Sequence, residues 1–163
     1  MLTAHYPIST SKVVHGDGLV PYRTPVGTMK SRKKIRAGVP AGGVLRSRHF
    51  TGEVLAVDAP GRDPIVTRIL WLDGTQSCNR DAFARCIYIH GTPEERNIGR
   101  PASYGCIRMR SRDVIALYDI VGVGARVKVV PALNEKLRLE IGCATAQPVA
   151  LPVTNPPPPA TTF

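Results

Sequence analysis

Acidic residues are scarce in this chain of 163 residues, where twelve Asp and Glu stand against twenty-two Lys and Arg and leave a formal net charge of +10. An imbalance of that size favours anionic partners. Aromatic residues are scarce too, at 6% with a single Trp. So few rings argue against the stacking platforms of single-strand nucleic-acid binders, and no nucleic-acid module accompanies the charge, so nucleic acid is a distant third reading. No apolar run approaches the roughly 20 residues of a membrane-spanning helix, and the first residues, Met1 to Pro7, lack the charged start and apolar core of a signal peptide. The cysteines, at 78, 86, 106 and 143, include no Cys-x-x-Cys pair and no zinc-like His spacing, which argues against a structural metal.

What is present is ordinary globular sequence, 43% hydrophobic with a mean hydropathy of −0.05, long enough for one domain with a real core. Short β-prone runs dominate: Ser11 to Val14, Val54 to Val57, Ile65 to Leu72, Arg85 to His90 and Ala125 to Val130, separated by Gly/Pro turns. One helix is expected after residue 110, with Ser111 as N-cap, Asp113 in its first turn and Val114, Leu117, Tyr118 and Val121 at helical spacing. Gly122-Val123-Gly124 ends it. Leu133 to Ile141 reads as one more short helix or strand. From Gln147 onward, Pro148, Pro152 and the run Pro156 to Pro159 mark an extended, solvated tail. The cluster Lys30-Ser31-Arg32-Lys33-Lys34-Ile35-Arg36 is read as a solvated loop or strand face.

Chemistry concentrates in one stretch, where Tyr88-Ile89-His90-Gly91-Thr92 is followed by Ser103-Tyr104-Gly105-Cys106-Ile107-Arg108. A thiol of ordinary pKa is mostly protonated near neutral pH, and a neighbouring imidazole can take its proton or stabilise its thiolate. His90 would be the base and Cys106 the nucleophile of an acyl transfer. His90 sits at the exit of a β-prone run, and the loop between them holds Pro93, Gly99, Pro101 and Gly105, turn formers that can fold Cys106 back toward it. The backbone N–H groups of Gly105 and Cys106 are candidate donors to an oxyanion. Cys86 alternates with Tyr88 and reads as buried core. A Cys78–Cys143 or Cys78–Cys86 disulfide is compatible with an oxidising compartment. His5, His15 and His49 have no comparable neighbourhood.

These residues resemble the L,D-transpeptidase catalytic domain of bacterial cell-wall enzymes, whose signature is a histidine followed by Ser-His-Gly-Cys and an arginine. The similarity extends to Tyr22-Arg23-Thr24-Pro25-Val26-Gly27, which is similar to the family's Thr-Pro-x-Gly element, and to Thr67-Arg68-Ile69-Leu70-Trp71-Leu72. The resemblance implies a mainly β, sandwich- or barrel-like domain with a few short helices over residues 1–132. A short C-terminal extension over 133–146 and a Pro-rich disordered tail over 147–163 follow. It further implies that Cys106 attacks a peptide bond of a peptidoglycan tetrapeptide stem, releases D-alanine and forms a thioester, which an amine of another stem or of an envelope protein resolves. The carbonyl of Gly91 would orient His90. Ser103, Tyr104 and Gly105 would support the site. Arg108 would receive a substrate carboxylate through its forked donors. Trp71, Arg68 and Asn97 are further candidates for contact with the stem. No cofactor or metal is implied, carbapenem-type inhibitors are expected, and the setting implied is the cell envelope, periplasm or cell wall, although this chain carries no signal peptide.

Two departures from the family pattern bear on function. Tyr104 stands where the family has a histidine, and a phenol cannot carry positive charge toward a thiolate or oxyanion. The family's additional first strand is missing, which would leave a sheet edge unpaired. Two rivals therefore stand beside the transpeptidase: an L,D-carboxypeptidase, with water as acceptor, and a non-catalytic wall-binding module.

Overall fold

The computed structural model describes residues 4–13 and 22–130. The described chain runs β1 (Gly27–Ile35), β2 (Gly43–Arg46), β3 (His49–Val54), β4 (Val66–Gly74), β5 (Tyr88–Gly91), β6 (Ile107–Met109), α1 (Ser111–Ile120) and β7 (Arg126–Val129), with single 3₁₀ turns at Ser77–Asn79 and Glu95–Asn97. The fold is mainly β with few helices, as the resemblance implied. The strands form one sheet ordered β3-β2-β4-β1-β7, from which β5 and then β6 branch off β4. All pairings are antiparallel except β5 with β6. A parallel pair needs a crossover connection, and here residues 92–106, which carry the 3₁₀ turn and end at Cys106, supply it.

Sequence pattern explains the central position of β4. Its Val-Thr-Arg-Ile-Leu-Trp-Leu run is buried along most of its length, as expected of a strand with neighbours on both edges. The pleat then sorts side chains between two apolar clusters. Leu70, Leu72, Ile87, Ile89, Ile107 and Met109 join Val114 and Tyr118 of α1. Ile69, Tyr88, Val39 and Leu45 form the second cluster, with Trp71, Cys86 and Cys106 packed against it. The site described below faces this second cluster.

The basic cluster keeps its reading as a strand face: it is most of β1, alternating buried Ser31 with exposed Lys30 and Arg32, both of which pair with Asp73 of β4. Several expectations change in three dimensions. Of the run Val54 to Val57, only Val54 belongs to a strand. Residues 85 and 86 are not in β5: Cys86 lies in a turn at φ +55 and is only partly buried, since the chain must bend there to enter the strand. Ser111 is the first helical residue, not the cap, which is Arg110. Its hydroxyl pairs with Thr67 of β4 at 2.8 Å, and its N–H donates to Glu95 at 2.9 Å, so a neighbouring loop caps the helix. Val121 is the C-cap rather than a helical residue.

The unpaired edge expected at the N-terminus is also filled. Ser9 exchanges both backbone hydrogen bonds with Arg108 of β6, at 2.9 and 2.8 Å, and Ser11 bridges Ser103. Residues 9 and 11 thus make two isolated bridges rather than a strand, and they strap the chain on either side of Cys106. Cys78 is disulfide-bonded while Cys86 and Cys106 are free, so a Cys78–Cys86 bridge does not form. His15, Cys143, Leu133 to Ile141, the extension and the tail lie outside the described residues.

Candidate active site

His90 and Cys106 come together through register. In the parallel pair β5–β6, Ile89 lies beside Ile107 and His90 beside Arg108, so Cys106 precedes β6 at the level of Tyr88. Residues 88, 90, 106 and 108 alternate with 89 and 107 and therefore share one face. Gly91 lacks a side chain where β4 bulges against it; a Cβ there would sit 2.8 Å from the Val66 carbonyl.

The histidine is 6% exposed, and its Nδ1 lies 2.8 Å from the carbonyl of Gly91. A carbonyl only accepts, so Nδ1 carries the hydrogen and Nε2 is a bare acceptor. Burial holds the imidazole neutral, lowering its pKa to about 4 against a smaller upward pull from the Gly91 bond. The Cys106 thiol donates to the carbonyl of Cys86 and accepts from the N–H of Tyr88, each at 3.4 Å. Burial raises its pKa, more than the Tyr88 amide lowers it. The two groups do not hydrogen-bond each other, and both shifts favour a neutral thiol beside a neutral imidazole. Such a pair stores no thiolate, and the bare Nε2 is free to act as a base.

Ser103 supports the nucleophile's turn directly. Its buried hydroxyl donates to the Cys106 carbonyl at 2.6 Å and accepts from the Gly105 N–H at 3.2 Å. That second bond occupies the amide expected to serve an oxyanion. Gly105 has φ +124, a conformation open to glycine and costly for other residues. Tyr104 is 65% exposed, its hydroxyl accepts from Lys12 at 2.7 Å, and its ring packs edge-to-face with Tyr22.

The expected substrate contacts separate. Arg108 is buried and its guanidinium is already paired with Asp63, with Glu94 at 3.9 Å. Both ion pairs engage Nη1, while the buried Nε has no hydrogen-bond partner. Arg68 is buried as well, donating to the carbonyls of Val39 and Thr67. Asn97 belongs to the crossover, donating to Glu94 at 2.7 Å and accepting from Ser9 at 2.6 Å. Trp71 packs in the same cluster as Cys106, stacked on Phe83 and edge-on to Tyr88 with centroids 5.4 Å apart. Its Nε1 donates to the Phe83 carbonyl at 3.0 Å.

Sequence reasoning missed Asp63, Glu94, Thr92 and Arg48. Asp63 also accepts from Thr92, and Arg48 donates to the Tyr88 hydroxyl at 3.4 Å. An acidic residue just ahead of β4 in so basic a chain was the available signal for Asp63; nothing local marked Arg48. Among the described residues no group of three or more His, Cys, Asp or Glu could hold a metal ion, and no helix is long and apolar enough to cross a membrane.

Comparison with known proteins supplies the family. The family model for the L,D-transpeptidase catalytic domain, YkuD, matches residues 2–129. Among proteins named as L,D-transpeptidases, YkuD of Bacillus licheniformis is 51% identical over 43 residues, 26% of either chain. YbiS of Escherichia coli is 28% identical over 134 residues, 77% of this chain and 40% of its own length. This chain therefore spans less than half the length of these relatives. Among solved structures, L,D-transpeptidase 3 of Mycobacterium tuberculosis with a faropenem-derived adduct matches at 22% identity and a TM-score of 0.48, over 77% of this chain and 44% of that one. The L,D-transpeptidase from Mycobacterium smegmatis matches at 20% and 0.46, over 77% and 48%. With the family model covering most of the chain, from the strap before β1 through β7, the protein belongs to the YkuD family of L,D-transpeptidase catalytic domains.

Proposed function

We propose that this protein is a cysteine acyltransferase of the cell envelope, acting on peptidoglycan stems. Cys106 Sγ attacks the carbonyl at the L-centre of diaminopimelate in a tetrapeptide stem as its proton passes to His90 Nε2. The carbon–nitrogen bond to D-alanine breaks, the proton leaves with the D-alanine amine, and a thioester remains. An amine of a second stem or of an envelope protein then attacks the thioester, giving a new amide and returning a proton to sulfur.

The observation that carries this reading is the shared face of His90 and Cys106, with Gly91 holding the imidazole in the tautomer that leaves Nε2 bare. General-base activation of a thiol requires that tautomer. The exposed Tyr104 supports an intact site rather than a degenerate one, because the hydroxyl of the residue that departs from the family pattern is engaged by Lys12. Ser103 and Gly105 serve here by shaping the cysteine's turn.

Intact-mass spectrometry tests the proposal. The wild-type chain incubated with a diaminopimelate tetrapeptide stem, or with a carbapenem, is expected to gain the acyl mass, and the Cys106→Ala and His90→Gln variants are not. Release of D-alanine without an acceptor amine would assign water as acceptor and the carboxypeptidase reading. No adduct on a folded wild-type chain would favour the wall-binding module.

A further inference from the structure

With Arg108 committed to Asp63, a different cation faces the nucleophile's side of the sheet. We infer that Arg48 is the residue that receives a carboxylate of the acyl donor, a role that rests on the acyl transfer proposed for Cys106. Arg48 lies one tyrosine away from the thiol, since the N–H of Tyr88 bonds Cys106 Sγ at 3.4 Å and its hydroxyl meets Arg48 at the same distance. That spacing suits a carboxylate on the side chain of the acylated residue, not the reacting carbonyl. The guanidinium lies over the Trp71 ring, 4.9 Å from its centroid, a cation–π contact that helps to hold the side chain beside Tyr88.

Arg48 is among the cations that no carboxylate neutralises. Lys30 and Arg32 share Asp73, Arg62 pairs with Glu53, Arg85 with Asp81 and Arg108 with Asp63. Among the described residues no salt bridge joins Arg48 to a carboxylate. Its place is what separates it from the other cations without a salt bridge: it donates to Tyr88, the residue whose N–H meets the thiol, and an unneutralised guanidinium there can take an anion.

Backbone conformation supplies an independent observation. Arg46 pairs with His49 across the β2–β3 hairpin, leaving Ser47 and Arg48 as a two-residue turn with φ +47 and +67. Turns with both central residues at positive φ favour Asn-Gly, and a long side chain at the second position is costly. Arg36 secures the strained turn, donating from Nε to the Arg48 carbonyl and from a terminal nitrogen toward His49 Nδ1 at 2.6 Å. A turn that keeps arginine where glycine fits better, and is bolted in place, fits a side chain retained for contact.

Binding to Cys106→Ala protein tests the assignment without turnover. The ligands are a tetrapeptide stem with a free carboxylate on the diaminopimelate side chain and the same stem amidated there. Adding Arg48→Gln is expected to weaken the acid stem about tenfold or more, the scale of a charge-assisted hydrogen bond, and to leave the amidated stem unchanged. Arg48→Lys should restore part of the affinity, while Arg48→Gly should lose the acid stem with no fall in Tm. Equal affinities with and without Arg48, equal losses on both stems, or no measurable binding of the acid stem overturns the inference, as does a lowered Tm with binding intact. D-alanine release by the wild-type chain reports separately on the acyl transfer itself.

Discussion

The burial of His90 makes a measurable demand on stability. In the folded chain its pKa is lowered to about 4 from the 6.5 of a free imidazole, chiefly by desolvation. Between those values the unfolded chain holds a proton there that the folded chain does not, so stability rises with pH across that window and is lost as pH falls. The contribution is nearly complete at pH 7. At 1.36 kcal/mol per pKa unit, integration gives a loss of about 2 kcal/mol by pH 5 and about 3 kcal/mol by pH 4, relative to pH 7. Removing the imidazole with His90→Gln should abolish this component. Other carboxylates and histidines titrate in the same range, so the quantity to read is the difference between the two proteins' urea-unfolding free energies at each pH. The wild type should lose about 2 kcal/mol more than the variant between pH 7 and pH 5. Parallel pH profiles would refute the buried neutral imidazole, and with it the bare Nε2 acceptor on which the proton transfer depends.

The thiol gives a complementary test, because burial raises its pKa. Mass-mapped iodoacetamide labelling of Cys106 should be slow at pH 7 and keep accelerating beyond the ordinary cysteine range, whereas a plateau below pH 7 would indicate a stored thiolate. Asp63→Asn leaves the buried Arg108 without its full counter-charge, with Glu94 farther away. Because Asp63 is partly exposed, a loss of roughly 1–3 kcal/mol in urea unfolding is expected, and an unchanged midpoint would show that the pair is not needed. Ser103→Ala removes the bonds to the Cys106 carbonyl and the Gly105 N–H, for a cost of about 1–3 kcal/mol by denaturant titration and slower acylation of Cys106. Tyr104→His, by contrast, should leave the acylation rate within about a factor of two, as expected of an exposed substitution.

The sequence by itself determined the elements with a strong local signal. The Ile65 to Leu72 run became β4 and Ala125 to Val130 became β7, because continuous apolar or alternating patterns admit few other placements. The helix after residue 110 was legible from the spacing of Val114, Leu117 and Tyr118. That His90 and Cys106 flank one connection was legible from the turn residues between them, and the carbonyl of Gly91 that the imidazole meets is the next residue along the chain.

Tertiary structure alone decided what long-range contacts govern. β1 was hidden by its charges, since a strand exposed on one face carries lysine and arginine as readily as a loop does. The fate of each arginine was decided by partners remote in sequence: Asp63 for Arg108, two backbone carbonyls for Arg68, Tyr88 and Trp71 for Arg48. A guanidinium looks the same in a sequence whether it is buried against a carboxylate or open to a ligand. Only the register of β5 with β6, the bulge of β4 and the tight turn at Ser47-Arg48 separate those states.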